Sequence, residues 1–317
     1  MPDSGGHFRR FRLPAGRPPR VGIVAKIAAA ETRETVRTLV GWLERRGVEV
    51  TMEGALADAA AWPGRSAPLA GIGTGQDFIL LLGGDGTLLA VTRAMGEDQR
   101  PVFGVNLGSL GFLTQAPLDQ LYTGVEAILA GEGIIDGRAT LAGILVRNGR
   151  EVARQHAVND VVVTGGAIAR VIGVRLKTTQ GFLANVLGDG VIVATPTGST
   201  AYSLGAGGPV VDPAVEAIIL APIVPLTLTQ RPVVFSDSEE LSLTLRPRGG
   251  EVYVTFDGQA SHPFRPGDVL RIRKSRRRIR MLGVGEQNYF RVLRKKLLWS
   301  ALPPKRAPAR PPIPPHP

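Results

Sequence analysis

Asp77-Phe78-Ile79-Leu80-Leu81-Leu82-Gly83-Gly84-Asp85-Gly86-Thr87 is the stretch on which the reading of this chain turns. A short, unbroken apolar run that stops at paired glycines reads as a strand covered on both faces, the kind found in parallel sheets flanked by helices. In open sheets of that class ligands gather beyond the carboxyl ends of the strands, which is where the glycines stand. Gly83, Gly84 and Gly86 let backbone N–H groups approach an anion, and Thr87 is placed to cap a helix whose positive end faces the same point. The segment offers a phosphate cradle. Asp85 is the anomaly in it, because a carboxylate repels phosphate. It makes sense there as acceptor of the proton of a hydroxyl that attacks phosphorus, or as partner of the metal on a nucleotide. The plain alternative is an ordinary turn with a capping Asp.

The flanking sequence extends the same pattern. Val21 to Ala25 is a second apolar run, followed by Val36, Leu39, Val40 and Leu43 at helical spacing and by Gly47 in the position that ends a helix. Val48 to Met52 and Pro101 to Val105 supply further strands, and Pro117 and Gly131 bracket a helix. From about residue 138 the texture changes to short β-rich runs separated by turn-formers: 143–146, 160–164, 171–177, 191–195, 241–245, 252–256 and 269–272. The expected organisation is a flexible basic start (1–20), an α/β domain (21–137), a β-rich domain (138–285), a helix over about 286–299 able to pack back on the first domain, and a Pro-rich disordered tail (300–317).

The chain has 317 residues and no Cys, which excludes disulfides, thiolate metal sites and a cysteine nucleophile and accords with a reducing compartment. Ile218 to Leu228 is interrupted by Pro222 and Pro225 and falls short of the roughly 18–20 residues of a membrane span. No apolar stretch of a secretory signal precedes the folded part, so a cytoplasmic protein is expected. The formal net charge of +11 is unevenly spread. Residues 265–317 carry 15 Lys and Arg against Asp268 and Glu286, and residues 1–20 carry five Arg against Asp3, so the body between them is mildly acidic. Peripheral basic runs such as Arg271 to Arg280 read as solvated faces or anion attractors, which makes a nucleic-acid function the lesser reading.

Two standard nucleotide signatures are missing. No Gly-Lys pair exists for a P-loop, and Gly71-Ile72-Gly73 lacks the third glycine of a dinucleotide fingerprint. A second polar cluster runs from Gly188-Asp189-Gly190 through Thr195-Pro196-Thr197-Gly198-Ser199-Thr200-Ala201-Tyr202-Ser203, where hydroxyls are denser than a loop needs. They offer donors and acceptors to a sugar, a base edge or a phosphate. Tyr202 suits stacking on a base, or core packing. Asn159-Asp160 stands at a strand entrance, where Asp reads as a ribose-diol acceptor or as a turn residue, and Asp257-Gly258-Gln259 reads as a hairpin turn.

These motifs, with Asn106-Leu107-Gly108-Ser109-Leu110-Gly111-Phe112-Leu113 and Ala221-Pro222-Ile223 leading to Arg231-Pro232, occur together in an order that resembles the NAD kinase family over roughly residues 21–299. The resemblance implies a Rossmann-like parallel-sheet α/β domain, of the type shared with diacylglycerol kinases, plus a mainly β C-terminal domain, with the site between them. It implies transfer of the ATP γ-phosphoryl group to the 2′-hydroxyl of the adenosine ribose of NAD, giving NADP. By matching motif, Asp85 is the general base and Gly83, Gly84, Gly86 and Thr87 seat the ligand. Asn159, Asp160, Arg170, Leu187, Asp189, Thr200, Ala201, Tyr202, Ser203, Gly205 and Gln259 contact the dinucleotide or its phosphates. Mg²⁺ arrives with ATP, no protein metal ligand is implied, and the family's habit is a homodimer or homotetramer. The chain departs from the family at Gly205, where a Ser is usual, at Val224 and Leu226, which replace Cys and His, and at Asp160, where Glu is usual. Competing readings are a lipid or sugar kinase of the same superfamily, which has no need of the Thr195–Tyr202 cluster, and a non-catalytic nucleotide- or nucleic-acid-binding regulator.

Overall fold

The structure is a computed structural model that describes residues 8–26, 30–108, 111–166, 171–246, 250–285 and 289–299. Its N-terminal part is a parallel sheet in the order Arg65–Ala67, Glu49–Glu53, Arg20–Ala25, Phe78–Leu82, Val102–Asn106. All five residues of Phe78–Leu82 and of Val102–Asn106 are buried, because the sheet is covered on both sides. One face packs Val36, Leu39 and Leu43 of the helix Ala30–Glu44 against Val21, Ile23, Phe78 and Leu80. The other packs Leu88 and Val91 of the helix Asp85–Ala94 against Val24, Ile79 and Leu81.

The sheet does not end with this part. The strand Val269–Val284 lies parallel to Val102–Asn106 through Met281 and Val102, then runs antiparallel to Gly133–Arg147. At its other end it pairs with Glu240–Arg246, which leads to Ile172–Thr178 and Gly181–Gly188. A single sheet of thirteen strands among the described residues therefore passes from one half of the chain into the other. Gly133–Arg147 itself straddles residues 137 and 138, where the change of sequence texture was expected to mark a boundary. The Arg-rich run is part of this sheet: Ile272, Ser275, Ile279 and Met281 are buried between the arginines, and the register shifts between Lys274 and Arg278.

A second, all-antiparallel sheet has the order Val233–Ser236, Ala217–Ile223, Gly190–Ala194, Asp160–Gly165, Val252–Phe256, Ala260–Pro263. Strand alternation gives it two different faces. Val161, Val163, Val191, Val193 and Val254 join Leu141, Val174, Leu243 and Leu270 of the first sheet in one core. Val162, Ile192, Ala194 and Ile219 point the other way and are partly covered by Ala206 and Val211, which follow the hydroxyl-rich segment. The helix Tyr289–Lys296 sets Tyr289 beside Phe112, with ring centroids 6.4 Å apart.

Candidate active site

The glycine loop sits between the strand Phe78–Leu82 and the helix Asp85–Ala94, as the sequence predicts. The cap differs from expectation. Gly84, in extended conformation, is the N-cap residue with no side-chain hydrogen bond, and Thr87 lies inside the first turn. Asp85 is consequently the first helical residue, at the positive end of the helix dipole. A Cβ at Gly84 or Gly86 would meet nothing within 4 Å, so both backbones face open space, while Gly83 is packed beneath the Thr87 side chain.

The Asp85 carboxylate is held from across the loop that follows Val102–Asn106. It accepts the N–H of Phe112 at 2.9 Å on one oxygen and those of Leu113 and Thr114 at 3.1 and 3.2 Å on the other. The loop is itself knitted by Asn106, whose Nδ2 donates to Thr114 Oγ1 at 3.0 Å and whose Oδ1 accepts the Gly108 N–H at 2.7 Å. Gly111 is required here, because a Cβ at this position would overlap the Asp85 carboxylate. Three of the roughly four lone-pair sites of the carboxylate are engaged, which leaves one for a ligand.

A cleft of about 390 Å³ opens on the outer face of the second sheet, lined by Asn159, Asp160, Val162, Thr164, Ala201, Tyr202, Thr255, Asp257 and Gly258. Its floor follows from the period of two, since Asp160, Val162 and Thr164 alternate outward along one strand and Thr255 is the cross-strand partner of Val162. Tyr202 supplies a wall, its ring half exposed. Asp160 is 5% exposed; burial first, and then the neighbouring Asp257 charge, push its carboxyl up to about 7. Asp257 sits in the left-handed region at φ 50° and accepts the N–H groups of Val158, Asn159 and Asp160 at 2.9, 2.7 and 3.2 Å. Its burial also raises its carboxyl, with those three amides and Arg93 opposing the rise. Beyond the turn, Gln259 donates to the Gly86 carbonyl at 2.9 Å and accepts from Arg93 at 2.6 Å, joining the hairpin of the cleft to the helix that begins with Asp85.

The hydroxyl-rich segment divides its labour. Thr195 Oγ1 donates to the Val158 carbonyl at 2.6 Å and accepts the Gly198 N–H at 2.9 Å, and Ser199 Oγ accepts the Val211 N–H at 3.0 Å. A Cβ at Gly198 would overlap the Asn159 carbonyl, so the segment lies directly on the Asn159-Asp160 turn. Thr200 donates to the Thr197 carbonyl at 3.3 Å. Ala201 and Tyr202 reach the cleft, whereas Ser203 is fully buried and Gly205 is exposed away from the cleft lining. Leu187 and Asp189 also lie outside that lining: Leu187 accepts the Leu226 N–H at 2.8 Å and the Asp189 N–H goes to Ile223 at 3.0 Å. Arg170 falls outside the described residues. Asp257 lines the cleft and organises it, a role that its turn-forming sequence conceals. The signal for it is two Asp-bearing turns, at 160 and 257, at the ends of neighbouring strands.

A glycine loop at a helix N-terminus, a carboxylate within it and a polar cleft linked to it by Gln259 define the class of phosphotransferases that bring a nucleotide's phosphates to a hydroxyl. Residues 21–133 match the model of the ATP-NAD kinase N-terminal domain and residues 158–284 that of the ATP-NAD kinase C-terminal domain. NAD kinases of Syntrophotalea carbinolica and Geobacter sulfurreducens are each 40% identical over 280 residues, covering 88% of this chain and 98% of theirs. Among solved structures, yeast NADH kinase complexed with NADH is similar with a TM-score of 0.84 at 25% identity, over 92% of this chain and 91% of that one. An NAD kinase from Archaeoglobus fulgidus in complex with ATP is similar with a TM-score of 0.69 at 27% identity, over 88% and 98%. The chain belongs to the ATP-NAD kinase family.

Proposed function

We propose that this protein transfers the γ-phosphoryl group of ATP to the 2′-hydroxyl of the adenosine ribose of NAD, forming NADP and ADP, with Asp85 accepting the hydroxyl proton. The observation that carries the reading is the joining of two sites: Gln259, at the end of the cleft turn, bonds to the backbone of Gly86, next to Asp85. Asn159 and Asp160 hold the ribose and Tyr202 stacks on adenine. The amides around Gly84 and Gly86 take phosphate oxygens at the positive end of the helix. Phosphoryl transfer needs positioning and charge compensation more than covalent chemistry, so a single carboxylate suffices for the proton. Mg²⁺ enters as Mg-ATP, held by phosphate oxygens and water, with Asp85 the carboxylate beside the phosphate cradle.

A second reading concerns the proton alone. A carboxyl near 7 in the cleft makes Asp160 the alternative acceptor, since a base works best with its pKa close to the working pH. We further propose a homo-oligomer in which Leu187 and Asp189 serve a neighbouring subunit. Both lie outside this chain's cleft, Leu187 bonded to the exposed Leu226 and Asp189 to Ile223, next to the exposed Val224.

The decisive assay incubates purified protein with Mg-ATP and either NAD, NADH or a lipid diol, and detects NADP(H) with an NADP-specific dehydrogenase. NADP formation from NAD is expected. Phosphorylation of the lipid alone, or of nothing, overturns the reading.

A further inference from the structure

The helix Tyr289–Lys296 is anchored on one side and leaves apolar side chains in water on another. Leu293 is buried, and Tyr289 lies against Phe112. Phe290 is 52% exposed, and Leu297, seven residues further on, falls on the same side of the helix. Arg291, Arg294, Lys295 and Lys296 are exposed around them. The way the helix ends adds to the anomaly. Leu298 takes the left-handed conformation at φ 55°, and the Trp299 N–H closes on the Arg294 carbonyl at 3.1 Å. Glycine is the usual residue at such a helix end, because a Cβ is unfavourable in that conformation. Here the place belongs to a leucine that is 71% exposed, followed by a tryptophan that is 62% exposed.

Charge indicates what covers these side chains. From residue 287 onward the sequence holds seven Lys and Arg and no Asp or Glu, with Lys305, Arg306 and Arg310 following the four cations of the helix. Residues 300–317 contribute only Leu302 and Ile313 as large apolar side chains, too few to bury Phe290, Leu298 and Trp299. A one-signed basic segment that carries exposed Phe, Leu and Trp has the composition of chain that lies in the plane of an anionic membrane surface. There the apolar side chains enter the acyl boundary, the cations meet the headgroups, and Trp sits between the two. A nucleic acid satisfies the cations and stacks on Trp299, but it offers nothing to Leu298.

We propose that this helix and the Leu298-Trp299 turn dock the protein on an anionic lipid bilayer surface, with Phe290, Leu298 and Trp299 at the acyl boundary and Arg294 and Lys295 at the headgroups. No helix among the described residues is long and apolar enough to cross a membrane, so the attachment is peripheral and reversible. It is independent of the kinase reading, since none of these residues lines the cleft or belongs to the glycine loop.

The test sediments the full chain with vesicles of phosphatidylglycerol and phosphatidylcholine in equal parts, or of phosphatidylcholine alone, and measures quenching of tryptophan emission by the same lipids brominated along their acyl chains. Sedimentation with the anionic vesicles only, accompanied by quenching, is expected. Arg294→Gln/Lys295→Gln should weaken partitioning roughly 25-fold, at about fivefold for each cation near the surface. Trp299→Phe should still sediment but lose most of the quenching, because Trp42 and Trp62 pack against the N-terminal core. A control, Arg45→Gln/Arg246→Gln, removes two exposed arginines elsewhere and should bind as the unmodified chain does. Three results overturn the proposal: equal losses in the control and the helix variant, which mark diffuse attraction; quenching that is absent from the unmodified chain or persists in Trp299→Phe; or tight binding of a single-stranded oligonucleotide with no sedimentation on vesicles. Trp299→Phe alters one exposed side chain conservatively, so it keeps the test valid if the double variant folds poorly.

Discussion

Asp85 takes amide hydrogens from Phe112, Leu113 and Thr114, and Asp257 takes them from Val158, Asn159 and Asp160, so each carboxylate is the hub of a loop distant in sequence. Their surroundings differ. Asp85 is partly exposed between glycines that face open space, at the first position of its helix. Asp257 is held in a left-handed turn, and its burial, opposed by the three amides, pushes its carboxyl up beside an Asp160 that stands near 7. The contrast teaches that a three-amide grip serves two ends: at 257 it shapes a turn that lines the cleft, and at 85 it fixes a carboxylate beside open glycine backbone, where the proposed reaction places its base.

Breaking the contrast at its reactive end gives the largest effect. Asp85→Asn is expected to lower kcat by about 10²–10⁴ while NAD affinity stays within an order of magnitude; steady-state kinetics and NAD titration read both, and a normal rate transfers the role of base to Asp160. Gly111→Ala, which drives a methyl group into the Asp85 carboxylate, should cost roughly tenfold to a hundredfold in kcat. Its KM for NAD should move little, because the cleft is untouched. Asp257→Asn loses part of the grip on residues 158–160 and should instead raise the KM for NAD and destabilise the fold by about 1–3 kcal/mol, measured by urea denaturation. If kcat falls and KM holds, the division between the two hubs is wrong. Tyr202→Ala should raise KM several-fold through lost stacking, with kcat nearly unchanged.

The smallest effect concerns stability and pH. The folded chain binds the Asp160 proton more tightly than the unfolded chain does, since its carboxyl rises from 3.8 to about 7. Between those values the folded state carries more protons, so this group's contribution to stability falls as pH rises and is lost above about 7. Asp160→Asn removes the penalty of a buried charge. It should raise stability at pH 8 by about 1–3 kcal/mol and change it little at pH 4; thermal unfolding at the two values checks the sign.

Much of this was legible in the chain. Phe78–Leu82 and its glycines declared a buried parallel strand that ends at a glycine loop, and the runs at 160–164, 241–245 and 252–256 lie in strands, as does 191–195 except for Thr195. Asn159, Asp160, Ala201 and Tyr202 do converge on one cleft. What stayed hidden depends on contacts between segments far apart in sequence. The amides that hold Asp85 lie 27 to 29 residues away, and the Asp257 grip spans nearly a hundred. The hydroxyls of Thr195 and Ser199 looked like ligand groups, yet they brace the backbone of their own and neighbouring turns. Arg271 to Arg280 concealed a strand because cations stand at most of its outward positions and the register breaks at residues 275–277.

The strand Val269–Val284 carries an implication for how the protein is made. It borders the N-terminal parallel sheet through Val102 and completes the long pairing with Gly133–Arg147, so an emerging polypeptide must wait until residues 269–284 have left the ribosome before that edge is closed. Through most of translation Val102–Asn106 is left without that neighbour, a state open to mispairing with other nascent chains. Closure of the sheet should accordingly be slow, with Val269–Val284 acting as the keystone.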